Sequence, residues 1–566
     1  MKIEHISPRF EPKARESRSK LSRLMTLLFL APFLLALSLQ SALGQGFKMT
    51  QLNPPGYQAG TTFPSAVNSG DAVVGFGTAT SGATVGFLYS GGKYTGINWK
   101  GSDNFTRALS INDSGEVVGD WLDSNGVTFH GFTYVKGTYK QYDVGGNVST
   151  SIFGVNSAGD FAGAEGTSGV VEGFVTIGGK VTEFYASGTD NTYAYAINKS
   201  NEVVGEYFDS SNLQHGFYRA ANGTITEIAF PGASQTSAFG INDAGEITGS
   251  YINSSGVSYG FTDIKGKYVS TDFTRTGAVS NKGAYIGYYL GVDGVQTGYL
   301  ASPQAFKLTT VKIPDEQQGV FNGVNKAGVF VGSYIDSSGT EHGLMISGGK
   351  VTNIDDSEGV STVCFAINST NHIVGDYFDT NGNPHGFEYS AGKFKDIPGP
   401  SVALSTDATG INDAGEISGD FFSGNDRTHH GFVLKGGKYT ELDPPGSTNT
   451  FGAGINAAGM VTFFWVDSKG FVQSSLYNGK KYALINVPGA AFTYAQGINT
   501  AGDIVFDIYD YYGVPHAALK KGSAYFVFDD PKGSSAGAGG INDNSLIVGH
   551  YTPTGASLAQ PYKGTE

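Results

Sequence analysis

The feature that most constrains this chain is an asparagine that recurs twelve times, usually directly after Ile or Val, at intervals of 39 to 44 residues. Sequence periods of about 40 to 50 residues are typical of propellers and repeat arrays, in which each unit packs on its neighbours. The recurring asparagines are Asn68, Asn112, Asn156, Asn198, Asn242, Asn281, Asn325, Asn368, Asn412, Asn456, Asn499 and Asn542.

One repeat predicts four short strands. In the unit around Asn242, residues 236–241, 246–252, 257–263 and 268–273 are rich in β-branched and aromatic side chains. Short turns with Gly, Asn or Ser separate these segments, and such turns join antiparallel strands. Four antiparallel strands in about 44 residues describe one blade of a β-propeller.

The two halves of the chain show how the blades close. Residues 47–50 and 306–309 resemble the fourth strand at 437–440, whereas the sixth and twelfth units lack a fourth strand. We expect the N-terminal strand of each half to complete the last blade, since this pairing removes two exposed sheet edges. The predicted fold is therefore all-β, with two tandem six-bladed β-propellers of four-stranded antiparallel blades at 46–303 and 304–566.

Residues 1–44 have the pattern of a signal peptide. A segment with seven Lys or Arg residues precedes an apolar run at 24–39, and Ala42-Leu43-Gly44 offers small residues for cleavage. The alternative is an uncleaved anchor, although the run is shorter than the roughly 20 residues of a bilayer span. We expect cleavage after Gly44, no membrane span afterwards, and a secreted, periplasmic or cell-envelope location.

Charge and motif content exclude several functions. The formal net charge is −14, and an acidic surface repels a phosphate backbone, so we expect no nucleic-acid partner. Cys364 is the only cysteine, which leaves no intrachain disulfide. No His-Glu-x-x-His motif and no phosphate-binding glycine loop is present, and we expect no cofactor.

The units resemble the HAF repeat of probable bacterial extracellular proteins. The resemblance rests on His-Gly-Phe triplets, a following Gly-Lys-Tyr segment and the Ile-Asn-x-x-Gly-x-x-x-Gly pattern, and it covers nearly all of residues 45–566. It implies an exported repeat protein and brings no catalytic residues. The triplets begin at His130, His215, His385 and His430.

Histidine and aspartate recur at fixed repeat positions. Residues on different blades are held apart, so we interpret the histidines as structural hydrogen-bonding groups and expect no metal site. The aspartates fall in the second turn of a unit, where Asp commonly bonds its own backbone, although calcium is an alternative. The histidines are His130, His215, His342, His385, His430 and His516, and the aspartates are Asp123, Asp209, Asp336, Asp379 and Asp467.

Departures from the repeat indicate candidate binding residues, because a structural residue recurs and a functional one need not. Unit ten carries Trp465 in its second strand, and unit eleven carries Tyr509, Tyr511 and Tyr512 around its second turn. Exposed Tyr and Trp combine an apolar face with a polar tip and suit sugar rings or protein partners. The alternative is that these rings fill space between blades.

These observations predict a non-catalytic binding or scaffold protein for a glycan or for an extracellular or envelope protein. The alternative is a secreted enzyme that acts on polysaccharide as a lyase or glycoside hydrolase. The enzyme hypothesis predicts an acidic cluster in the central pocket of one propeller, outside the repeat pattern. The binding hypothesis predicts an aromatic patch instead.

Overall fold

A computed structural model describes residues 45–102, 104–146, 149–167, 170–187, 191–271, 275–290, 295–313, 318–510, 513–529, 533–553, 556 and 558–565. These ranges contain β-strands and turns and no α-helix, which confirms the all-β prediction. No helix in them is long and apolar enough to cross a membrane. The predicted signal peptide at 1–44 lies outside the described residues.

The strands of the first half follow one another through tight turns. They are β1 Gln45–Leu52, β2 Phe63–Val67, β3 Val73–Thr78, β4 Thr84–Ser90, β5 Lys93–Ile97, β6 Thr106–Ile111, β7 Val117–Leu122, β8 Phe129–Val135, β9 Thr138–Tyr142, β10 Ser149–Val155, β11 Phe161–Thr167, β12 Val170–Ile177, β13 Lys180–Phe184, β14 Thr192–Ile197, β15 Val203–Phe208, β16 Gln214–Arg219, β17 Ile225–Ile228, β18 Ala233–Ile241, β19 Glu246–Asn253, β20 Ser258–Ile264, β21 Lys267–Thr271, β22 Arg275–Val279, β23 Tyr285–Leu290 and β24 Gln296–Ala305.

The second half repeats this order. Its strands are β25 Lys307–Thr310, β26 Gln318–Val324, β27 Phe330–Ile335, β28 Glu341–Ser347, β29 Lys350–Asn353, β30 Ser361–Ile367, β31 Ile373–Phe378, β32 Pro384–Ser390, β33 Lys393–Ile397, β34 Ala403–Ile411, β35 Ile417–Ser423, β36 His429–Lys435, β37 Lys438–Glu441, β38 Ser447–Ile455, β39 Val461–Asp467, β40 Val472–Tyr477, β41 Tyr482–Leu484, β42 Phe492–Ile498, β43 Ile504–Tyr509, β44 Pro515–Lys521, β45 Ala524–Phe528, β46 Gly533–Ile541, β47 Ile547–Pro553 and β48 Gln560–Thr565.

Consecutive strands pair in antiparallel groups of four, beginning with β2–β5 and continuing through β18–β21, then from β26–β29 through β42–β45. Two groups are completed from elsewhere in the chain. Strand β1 pairs with β24, and β25 pairs with β48, both antiparallel. The four-stranded antiparallel sheets and the two long-range strand pairings agree with the sequence pattern.

Two contacts join neighbouring groups of four into larger sheets. Strand β1 also pairs antiparallel with β45, where Phe47–Met49 meet Tyr525–Val527, and this links the two halves edge to edge. A single parallel bridge between His385 and Thr406 joins β32 to β34. The β1–β45 pairing was not predicted from the sequence, because both strands have the pattern of ordinary outer strands.

The recurring asparagines form a hydrogen-bonded turn and a link to the next unit. Asn456 accepts hydrogen bonds from the amides of Ala458 (3.1 Å) and Met460 (3.0 Å), and it donates from Nδ2 to the Asn499 carbonyl (3.0 Å). In the second half this link runs through all six asparagines and returns from Asn542 to the Asn325 carbonyl at 2.9 Å. We call this closed set the asparagine cycle.

The first half has five such links and one changed position. The links run from Asn68 to Asn242, and Asn242 donates to the Ser280 carbonyl at 3.3 Å. Ser280 starts the sixth turn, since its amide bonds the Ala284 carbonyl just as the Asn242 amide bonds that of Glu246. The assignment of Asn281 as the sixth repeat position was therefore wrong by one residue.

Small residues near the asparagine turns let the first strands approach one another. A Cβ added to Gly497 would lie 2.9 Å from the Cα of Gly540, and one added to Gly540 would lie 3.0 Å from the Cα of Gly323. Buried apolar clusters fill the space between sheets, including between β2–β5 and β22–β24 and between β26–β29 and β46–β48. The first and last sheets of each half are therefore neighbours.

Candidate ligand pocket and acidic clusters

A cavity of about 820 Å³ opens among the first strands of the first half; we call it the first-half pocket. Each of β2, β6, β10, β14, β18 and β22 contributes at least one lining residue, so these strands surround it. Ligand pockets usually enclose about 300 to 1,000 Å³ and combine apolar walls with a few polar groups. Lining residues from these strands include Phe63, Arg107, Ser151, Tyr193, Phe239 and Gly277.

Half-buried aromatic rings form two groups in the wall of the first-half pocket. Phe63 stacks on Phe76 at a centroid distance of 5.3 Å. In the other group, Tyr195 lies 5.2 Å from Phe153 and 5.6 Å from Phe239. Aromatic faces and edges of this kind present apolar surface to a ligand while a tyrosine hydroxyl supplies a polar contact.

Three polar groups of the pocket wall are held by carboxylates that are not themselves lining residues. Arg107 donates from Nε to Asp120 Oδ1 (2.9 Å), and Ser151 Oγ donates to Asp120 Oδ2 (2.7 Å). Tyr195 donates its hydroxyl to Glu206 Oε1 at 2.6 Å. These bonds fix the orientation of the ring and guanidinium groups, which favours a preformed site.

Glu165 is the carboxylate of the pocket with the most unusual surroundings. Burial raises its pKa, the charge of Glu183 and a hydrogen bond to it raise the pKa further, and the charge of Glu172 adds to the rise. In the ionised form its Oε2 atom is buried and has no hydrogen-bond donor in the described structure. Glu165 therefore lines the pocket and has a buried carboxylate oxygen that no hydrogen-bond donor contacts in the described structure.

The sequence carries a signal for this pocket that was not recognised as one. The residue five positions before the repeat asparagine differs from unit to unit, as Phe63, Arg107, Ser151 and Tyr193 show. The more conspicuous departures from the repeat lie in second strands and second turns of the second half, and the predicted binding residues came from those positions.

The residues predicted for binding occupy different environments. Trp465 is only 9% exposed and donates from Nε1 to Ser475 Oγ at 3.0 Å, as expected for a ring that fills space. Tyr509 is half-buried and lies 5.7 Å from the Tyr494 ring, and burial raises its pKa to about 12. Tyr511 and Tyr512 lie outside the described residues, so a site at that turn stays a prediction.

A row of aromatic rings joins two neighbouring sheets of the second half, β38–β41 and β42–β45. Phe451 stacks on Phe464 at 4.9 Å, Phe464 meets Tyr494 at 5.1 Å, and Tyr494 meets Tyr509. Phe451 and Tyr494 stand five residues before their repeat asparagines, the same position as Arg107 and Tyr193 in the first half. This repeat position therefore carries an aromatic ring in some units of each half and a charged side chain in others.

The second half also contains an acidic cluster. Asp407 and Asp420 are buried and directly paired across β34 and β35, and His429 Nδ1 lies 3.0 Å from Asp420 Oδ2. One ligand atom from each of the three residues lies within 4.8 Å of the others. Asp407 and His429 depart from the repeat, which is one of the two features that the enzyme hypothesis predicts; the other, a position in a central pocket, stays a prediction.

The recurring histidines lie between carboxylates of their own units. His430 Nδ1 is 2.7 Å from Asp443 Oδ2, and its Nε2 is 3.0 Å from Asp426 Oδ2. His215 and His342 have the same arrangement, with an acidic partner near each ring nitrogen. Burial opposes protonation in these three residues, but hydrogen bonds and charges of the acidic partners raise the pKa overall. We call them the raised-pKa histidines.

The recurring aspartates bond the turn backbone. Asp379 Oδ1 accepts hydrogen bonds from the Asn381 and Asn383 amides at 2.8 and 2.9 Å, and His385 Nε2 lies 3.5 Å from its Oδ2. These bonds lower the pKa of Asp379, led by the amide of Asn383. This is the turn geometry expected from the sequence.

No family model and no curated protein matches the chain. Among solved structures, it is similar to an Aleuria aurantia lectin in complex with α-methyl-L-fucoside, with 14% identity, 45% of this chain and 93% of that chain covered, and a TM-score of 0.32. A gluconolactonase of Xanthomonas campestris is 11% identical, with 46% of this chain and 90% of that chain covered and a TM-score of 0.31. The β-propeller domain of a Pyrococcus furiosus protease is 10% identical, with 60% of this chain and 98% of that chain covered and a TM-score of 0.25. At these scores nothing about ligand or reaction is carried over to this chain.

Proposed function

We propose that this chain is an exported, non-catalytic binding protein of two six-bladed β-propellers, at 46–303 and 304–566, that binds a glycan in the first-half pocket. The proposal includes removal of residues 1–44 and a bacterial extracellular or envelope location, as the resemblance to the HAF repeat implies. The asparagine cycle and the packing between the first and last sheets of each half support the propeller arrangement.

The observation that carries the binding function is the composition of the pocket wall. Half-buried rings from several units face one cavity, and the Arg107–Asp120 pair and the Tyr195–Glu206 pair supply oriented polar groups among them. A sugar presents apolar C–H faces and hydroxyl groups, so it matches a wall that alternates rings with hydrogen-bonding groups. The pocket is also large enough for a short oligosaccharide.

A glycan array followed by calorimetric titration tests this function. The purified chain is compared with Tyr193→Ala, which removes a ring of the pocket wall, and with Tyr494→Ala, which removes the ring at the same repeat position in the second half. We expect Tyr193→Ala to weaken binding at least about tenfold, or about 1.4 kcal/mol, and Tyr494→Ala to leave it nearly unchanged.

Three other outcomes have distinct meanings. Equal loss in both variants would indicate a fold effect rather than a site, and circular dichroism separates this case. Loss confined to Tyr494→Ala would move the site to the second half. If the folded wild-type chain binds no glycan, the glycan proposal is wrong and a protein ligand becomes the hypothesis to test.

A second candidate function, cleavage of a polysaccharide, is favoured by the cluster of Asp407, Asp420 and His429. Buried carboxylates beside an imidazole can share the roles of general acid and general base. The test is release of new reducing ends or unsaturated sugar ends from a polysaccharide panel, by the wild type and by Asp407→Asn. Product formation that depends on Asp407 would support this function, and a folded chain without product would exclude it for the panel.

A further inference from the structure

Three glutamates from adjacent strands of one sheet meet at the side of the first-half pocket. Glu165 in β11 is directly paired with Glu172 in β12, and Glu183 lies in β13. One carboxylate oxygen from each lies within 4.8 Å of the others. We call Glu165, Glu172 and Glu183 the glutamate cluster.

The glutamate cluster concentrates negative charge in a small space. Within the described ranges, no ion pair joins any of the three carboxylates to a Lys, Arg or His side chain. A polar partner is the Tyr185 hydroxyl, which donates to Glu172 Oε1. Like charges at this separation disfavour the ionised forms unless a positive charge or a proton lies between them.

A second observation points to a bound partner. Glu165 is 9% exposed. Its carboxyl group interacts with that of Glu183, but in the ionised form its buried Oε2 atom has no hydrogen-bond donor among the residues that the structure describes. A buried carboxylate oxygen is normally satisfied by hydrogen bonds, a cation or a metal. Because Glu165 also lines the first-half pocket, such a partner can enter from the cavity.

We propose that Glu165, Glu172 and Glu183 bind a divalent cation, with Ca²⁺ as the preferred ion. Ca²⁺ takes six to eight oxygen ligands at about 2.3 to 2.6 Å, so oxygens around one ion lie at most about 5 Å apart. The spacing in the cluster fits this limit. Mg²⁺ demands stricter octahedral geometry and retains more water, so a carboxylate-rich, partly exposed cluster suits Ca²⁺ better.

The cation also has a place in ligand binding. Three carboxylates do not fill the six to eight coordination positions of Ca²⁺, and water or hydroxyl groups of a ligand can complete the shell from the cavity that Glu165 lines. This part of the inference rests on the proposed glycan function. Binding of the cation itself does not, because it depends only on the three carboxylates.

The test uses Tb³⁺ as a luminescent substitute for Ca²⁺, with tyrosine excitation, on the full chain. Tyr185 contacts the cluster and can transfer energy to the bound ion. We expect one saturable site from which Ca²⁺ displaces Tb³⁺ better than Mg²⁺ does. Glu165→Gln and Glu183→Gln should each weaken Tb³⁺ binding at least about tenfold, by analogy with the losses seen when supporting groups of metal sites are removed.

The matched control is Glu116→Gln, which alters a glutamate that accepts a hydrogen bond from Asn112 in the neighbouring sheet. It should leave Tb³⁺ binding unchanged. Absence of saturable binding to the folded wild type, or equal binding by Glu165→Gln, would overturn the proposal. The thermal midpoint is the second measurement, and it tests the alternative that the carboxylates share a proton instead of binding a cation. In that case Glu165→Gln raises the thermal midpoint and Ca²⁺ does not change it.

The glycan experiment remains separate. Retained Tb³⁺ binding with no glycan binding would contradict the proposed function and leave the cation site intact. Glycan binding that is indifferent to Ca²⁺ and to Glu165→Gln, in a chain without Tb³⁺ binding, would contradict the cation site alone.

Discussion

Replacing Asn456 with Ala tests whether the asparagine cycle stabilises the second half. Asn456 is 3% exposed, and its side chain makes three hydrogen bonds, two to amides of its own turn and one to the next unit. A typical intramolecular hydrogen bond contributes about 1 kcal/mol net, and the groups left behind are buried. We therefore expect Asn456→Ala to lower the free energy of unfolding by about 3 kcal/mol.

The same unit supplies a matched control. Asn478 accepts hydrogen bonds from the Lys480 and Lys481 amides at 3.1 and 3.0 Å, but it is exposed and these bonds stay within its own turn. When Asn478 becomes Ala, water can replace both bonds, so the expected change is within about 0.5 kcal/mol. The contrast isolates burial and the inter-unit bond from turn chemistry.

Urea unfolding followed by tryptophan fluorescence measures both variants. Trp465 lies in the same unit and is buried, and a background with Trp99→Phe and Trp121→Phe leaves it as the single tryptophan. If Asn456→Ala and Asn478→Ala differ by less than about 0.5 kcal/mol, the cycle does not contribute as argued. The asparagine would then act only through local turn formation.

Two further predictions concern stability. Ser280→Asn should place an amide donor at the one changed position of the first half. A hydrogen bond from this amide to the Asn68 carbonyl should raise the free energy of unfolding by about 1 kcal/mol. A lower thermal midpoint would show that the site lacks room for the larger side chain. The raised-pKa histidines bind protons more tightly in the folded chain than in the unfolded chain. Their contribution to the free energy of unfolding is therefore fully present below the unfolded pKa of 6.5 and is lost as the pH rises through the higher folded pKa values. The thermal midpoint should fall as the pH rises above the unfolded pKa of 6.5, and replacing all three histidines with Gln should flatten that fall; an unchanged slope would contradict this.

The sequence predicted the regular parts of the fold because they depend on short-range chemistry. In the unit around Asn242, the structure has strands Ala233–Ile241, Glu246–Asn253, Ser258–Ile264 and Lys267–Thr271, each near its expected position. The turn at Asn242 follows from a side chain that bonds its own backbone and from Gly245 at a φ of 78°. These features are encoded within a few residues.

Long-range contacts were predicted only where the repeat itself implied them. The pairing of β1 with β24 followed from a missing fourth strand, whereas the pairing of β1 with β45 has no counterpart in the repeat. The misplaced sixth repeat position has a related cause. Asn281 follows Ser280 directly, so the asparagine pattern points to the wrong one of two adjacent polar residues.

The candidate sites were not predicted from the sequence because they lie at repeat positions whose side chains do not pack between sheets and can therefore differ from unit to unit. Residues such as Phe87, Phe132 and Phe217 pack between sheets, so their size is fixed by two neighbours and they recur. In four units of the first half, the residue five positions before the repeat asparagine lines a cavity and is free of that constraint.

That freedom explains why one repeat position holds the basic Arg107 in one half and the acidic Asp407 in the other. Since the surrounding turns and sheets are the same, the chemistry of each half is set by these few side chains and their direct strand partners. The two halves are therefore expected to differ in ligand despite their common framework. Exchanging Tyr193 and Asp407 alone should move binding properties between halves more than any substitution in the recurring His or Asn positions.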